Sequence, residues 1–97
     1  MTPYKSIFNH HGYTEQLLQL AEETGELFKA LNKYRRNKLT LKDKESLKYD
    51  IMDEIADVEI MLQQFKEHFN FDTEERKIYK LERELERIGK NENICSS

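Results

Sequence analysis

The chain of 97 residues is poor in whatever interrupts or cross-links a fold: it has no Trp, one Cys, one Pro and three Gly. The lone Cys95 excludes an internal disulfide and a spaced thiolate set for a metal, and it fits a reducing, cytoplasmic compartment. The only Pro stands at position 3, so it cannot break a helix in the interior. No apolar run approaches the roughly 20 residues of a membrane span. Residues 1–12 lack the apolar core of a signal peptide, so the mature protein is expected to be the whole chain. No basic block is sustained, and a net charge of -3 offers no electrostatic footprint for duplex nucleic acid or an anionic membrane. A Gly-rich phosphate loop is missing as well, and Ser6, Ser46 and Cys95 fall outside any nucleophile-and-base motif.

What the chain has is charge and helical periodicity. With 37% hydrophobic and 36% charged residues it reads as one soluble all-α domain over 1–97, small enough that oligomerisation would add to its stability. The lead segment 1–13, with Tyr4 and Phe8, is expected to be a polar loop. Its adjacent His10 and His11 point about 100° apart on a helix and make a poor chelate; a contact near a site mouth is their other reading. Thr14 is the expected N-cap of a first helix running to about 36, where Asn37 and a lysine-bearing connection end it. Its core stripe is Leu17, Leu20, Ala21, Thr24, Phe28 and Leu31. A second helix, from about 43 to 69, turns Leu47, Ile51, Ile55, Val58, Leu62, Phe65 and Phe69 inward. Its other side carries Tyr49, Met52, Ala56 and Ile60, which implies a subunit interface. The stretch 70–73 breaks that helix, and Asp72 with Glu75 has capping-box spacing for a third, shorter one. Ile78, Leu81, Leu85 and Ile88 form its seam, Gly89 is its expected stop, and 90–97 is expected to fray.

Two acidic clusters interrupt this pattern. Glu23 and Glu26 lie one turn apart on a helical face, as do Glu54 and Asp57, and both pairs border an apolar stripe. No Lys or Arg lies between His11 and Phe28, nor between Tyr49 and Phe65, so these carboxylates need another counter-charge. Mg2+ accepts carboxylates while keeping waters and bridging phosphate oxygens, which points to a polyphosphate substrate. A di-iron bundle would call for Glu-x-x-His on two helices, and no Glu here has a His three residues on. Gln16 and Gln19 share the face of Glu23 and read either as contacts to a base edge or as a structural polar rim. Arg76, Lys80, Arg83 and Arg87 share a face of the third helix, either as a solvated face paired with Glu84 and Glu86 or as an anion-binding comb.

Taken together, Glu22-Glu23-x-x-Glu26, a spacer of 27 residues and Glu54-x-x-Asp57 resemble the signature of the MazG-like, all-α nucleoside triphosphate pyrophosphohydrolases. The likeness covers nearly the whole chain, and Tyr79-Lys80-Leu81-Glu82-Arg83 is similar to the third-helix segment of short, phage-type members. The resemblance implies Mg2+ ligands at Glu23, Glu26, Glu54 and Asp57, with Mn2+ as a substitute. It also implies a water-orienting or activating role for Glu22 beside Glu23, and triphosphate contacts from Lys80, Arg83 and Arg76. The implied reaction hydrolyses a (deoxy)nucleoside triphosphate to the monophosphate and pyrophosphate. The expected fold is two long antiparallel helices plus a shorter third, forming bundles as a homodimer or homotetramer. The alternative is a non-catalytic helical oligomer or adaptor that keeps the scaffold; Mg2+ dependence and pyrophosphate release separate the two.

Overall fold

The computed structural model describes residues 1–36 and 38–96, those from 91 onward by backbone alone. Among them are four helices and no strand: α1 (Pro3–His11), α2 (Tyr13–Tyr34), α3 (Leu41–Phe69) and α4 (Glu74–Ser96).

The expected polar lead loop is a helix instead. Thr2 caps it by accepting from the Lys5 backbone N–H, and Pro3 occupies the first turn, where a missing N–H costs nothing. Phe8 is its anchor at 4% exposure. Its ring stacks on His68 at 4.4 Å and meets the edges of Phe65 and Tyr13 at 5.3 and 6.1 Å. Gly12, at φ 89°, then turns the chain directly into α2. Thr14 is therefore not the N-cap; it lies in the first turn of α2, which has no side-chain cap. Asn37, the expected end of this helix, lies outside the described residues. At α3 the capping box is made by Thr40 and Asp43, with both reciprocal bonds present.

Helices α2 and α3 pack along their lengths, with Gln16 opposite Gln64 and Tyr34 beneath Lys44. The seam is rotated from the expected stripes. On α2, Gln16 is buried and Gln19, Leu20, Glu23, Leu27, Ala30 and Tyr34 are half-buried, while Leu17, Phe28 and Leu31 face out, Phe28 at 69% exposure. On α3 the buried side chains are Leu47, Val58, Met61 and Gln64, whereas Ile55, Leu62 and Phe69 are exposed. The physical reason is that each helix has more apolar surface than one partner helix can cover. Counted at about 100° per residue, the uncovered apolar flank lies roughly 60–160° around from Glu23 on α2 and from Glu54 on α3, in the direction away from Glu26 and Asp57.

Asn70, in the left-handed region at φ 58°, ends α3 as its spacing predicts. The expected capping box at Asp72 is not made: α4 begins at Glu74, and the Asp72 carboxylate accepts from the Glu74 N–H at 3.0 Å, not from that of Glu75, with no return from Glu75. Helix α4 is not the shorter third element; its 23 residues match the 22 of α2. It also runs through Gly89 to Ser96, since one Gly costs a helix only about 1 kcal/mol. The expected frayed tail falls mostly on side chains outside the described residues. Among the described residues α4 packs against no other helix. The chain accordingly exposes 8284 Å2, against roughly 5,900 Å2 for a compact monomer of this mass. Its radius of gyration is 18.1 Å, against roughly 12.5 Å.

Candidate metal centre

The rotation of the seam brings part of the acidic motif together between α2 and α3. One carboxylate oxygen each from Glu23, Glu54 and Asp57 lie within 4.8 Å of one another. Helical spacing sets Glu54 and Asp57 one turn apart, and α2 brings Glu23 across to them. Gln19, one turn before Glu23, donates to its Oε1 at 2.7 Å and fixes that carboxylate. Glu54 Oε2 is shut off from solvent and has no hydrogen-bond partner. Partial burial raises the Glu54 carboxyl above the ordinary carboxylate range, and the charges of Glu23, Asp57, Glu26 and Asp53 push it the same way.

This donor set suits a hard cation. All three groups are oxygens, a carboxylate cluster with Glu23 and Glu54 half-buried and Asp57 exposed carries repulsion that a divalent ion would relieve, and three ligands leave positions for water and phosphate. The other two acids of the motif stand outside the trio. Glu26 is exposed and turned toward Lys29 at 3.7 Å, although its charge still reaches Glu54. Glu22 is exposed. Lys29 reaches back to Glu26 from just beyond the cation-free stretch, and with Lys33 it lines a cleft of about 250 Å3 beside the site, together with Glu26, Asp50, Asp53 and Glu54. These two lysines escape the sequence reading, which stops at Phe28. Their signal is spacing: they follow Glu26 by three and seven residues on the same face.

The remaining expected site residues lie elsewhere. Gln16 is 4% exposed, and its Nε2 donates to the Oε1 of Gln64, itself 2% exposed, at 2.6 Å. Its amide is used inside the seam. Arg76 lies over the Tyr79 ring at 5.1 Å, and with Lys80 it lines a groove of about 810 Å3 floored by Leu62, Phe65, Phe69 and Phe71. Arg76, Lys80 and Arg83 make no ion pair among the described residues, and α4 does not bring them to the acidic trio of its own chain. His10 and His11 are exposed with rings edge to face at 4.8 Å, and no third ligand-type side chain joins them among the described residues.

The chain matches no family model, no curated protein and no solved structure. Among the described residues, no helix is long and apolar enough to cross a membrane.

Proposed function

We propose that the protein is a cytoplasmic, Mg2+-dependent nucleoside triphosphate pyrophosphohydrolase of the MazG-like kind. The observation that carries the reading is the convergence of Glu23, Glu54 and Asp57, with one oxygen of Glu54 buried and unpartnered. These three would hold Mg2+ (or Mn2+), with Glu26 one turn away as a fourth ligand. When bound, the ion supplies Lewis acidity toward phosphate oxygens and toward water. The chain itself positions and moves protons. Gln19 holds Glu23 in place, and Glu23 or the neighbouring Glu22 accepts a proton from the attacking water. The water oxygen forms a new bond to phosphorus while the anhydride between the α and β phosphates breaks, leaving a nucleoside monophosphate and pyrophosphate. Lys29 and Lys33 offer positive charge beside the site. Lys80, Arg83 and Arg76 would reach the phosphates only from a neighbouring copy, because α4 stands apart in its own chain.

The order of contacts, Gln16 with Gln64, Glu23 with Glu54 and Tyr34 with Lys44, supports an antiparallel pair of helices. In that arrangement the apolar flanks of α2 and α3 fall on one side of the hairpin and Glu26 and Asp57 on the other. The surplus of roughly 2,400 Å2 per chain over a compact monomer is of the size that obligate homodimers bury, which supports a dimer or a dimer of dimers.

The test is a panel of canonical and modified nucleoside triphosphates with Mg2+, scored by pyrophosphate release, beside Glu54→Gln. Wild type should release pyrophosphate from at least one, and Glu54→Gln should lose on the order of 10²-fold or more, as when a charge-stabilising group is removed. Wild-type protein that releases none would leave the adaptor reading in its place, and a fully active Glu54→Gln would overturn the metal centre as assigned.

A further inference from the structure

We infer that α4 is a docking strip for α4 of a second copy, the two helices lying parallel and in register. The inference does not depend on the metal centre. Ile78, Leu81, Leu85 and Ile88 are all exposed, and their three, four, three spacing is that of one coiled-coil seam, with Ile78 and Leu85 at a and Leu81 and Ile88 at d. Among the described residues nothing in the same chain packs on them.

The flanking charges choose both the occupant and its direction. In this register Lys77 and Glu84 take g positions, and Glu82 takes an e position. A parallel pair sets g of one helix beside the next e of the other, so Lys77 faces Glu82 of the second copy, twice by symmetry. The antiparallel pairing that keeps the same four apolar residues together sets e against e and g against g. Glu82 would then face Glu82, and Glu84 would face Glu84. Like charges across a seam exclude that arrangement as effectively as opposite charges favour the first. Within its own chain Lys77 is held only by an exposed pair with Glu74 at 3.0 Å, which is readily exchanged. Glu82 has no cation partner among the described residues. Arg76, Lys80, Arg83 and Arg87 take the outer f and c positions, so pairing leaves the basic face of both helices open.

The experiment uses the full chain with Cys95→Ser, so that an introduced thiol is the only one. Leu81→Cys in this background should form a disulfide-linked dimer on mild oxidation, because d positions meet their own counterparts in a parallel pair. Adding Lys77→Glu should cut the yield several-fold, and Glu82→Lys on top should restore it, with circular dichroism showing equal helix content throughout. A mixture of Leu81→Cys and Leu85→Cys chains should give little of the mixed dimer that an antiparallel pair requires. The inference is overturned if Leu81→Cys stays monomeric on oxidation, if the mixed dimer dominates, or if the charge reversals leave the yield unchanged.

Discussion

Glu54 is the side chain on which the site's electrostatics concentrate. Its pKa lies above the ordinary value of 4.5, so the metal-free folded state binds its proton more tightly than the unfolded chain does. The associated stability is fully present below pH 4.5 and is lost as pH rises through the raised folded value. Thermal melts without metal should therefore show wild type falling across that window while Glu54→Gln does not, so the variant has the higher Tm at neutral pH. Saturating Mg2+ should raise the wild-type Tm and narrow the gap; a variant less stable than metal-free wild type at pH 7 would contradict the assignment. Gln19→Ala releases Glu23 and should weaken Mg2+ affinity by about 10 to 100-fold, measured by calorimetry. At the buried amide pair, Gln64→Leu strands Gln16 and should cost about 1–3 kcal/mol, while Gln16→Leu with Gln64→Leu recovers most of it. Glu54 and Asp57 were legible because spacing alone sets them on one face, whereas Glu26, expected with them by the same rule, stands outside the trio. That Gln16 is spent on Gln64 was not, because it depends on how far each helix is rotated about its axis.

At the scale of elements, α1 went unread because only Tyr4, Ile7 and Phe8 carry its apolar face, too few for a periodic signal. Thr2 before Pro3 was the clue, a capping residue followed by the one residue suited to a first turn. Phe8 holds this helix on the molecule, and Phe8→Ala should cost about 3 kcal/mol in denaturant titration and strip protection from the amides of α1 before those of α2. The stripes of α2 and α3 are apolar as expected, but only part of each forms the seam: Leu47 and Val58 of α3 are buried and Leu20, Ile51 and Phe65 half-buried, while Leu17, Phe28, Leu31, Ile55, Leu62 and Phe69 face out. Leu17, Phe28 and Ile55 obey the same spacing whether they face a neighbour in the chain or a second copy. Periodicity names a buried face without naming what buries it.

For the whole molecule, the large exposed surface and long radius of gyration place the monomer far from a self-sufficient globule. Light scattering should give a mass of at least two chains, and Phe28→Glu on the apolar flank should lower it. A wild-type chain that stays monomeric at micromolar concentration would remove that role from the flank. The two-sidedness of the proposed antiparallel pair also carries a kinetic consequence. In the proposed assembly, copies joined through their apolar flanks would turn their acidic trios outward on opposite surfaces, so the flank interface itself would link no two trios. Substrate saturation should then be hyperbolic, with a Hill coefficient of about 1, since cooperativity requires coupled sites. A family of sites built this way would gain stability from assembly while each counts its nucleotides alone.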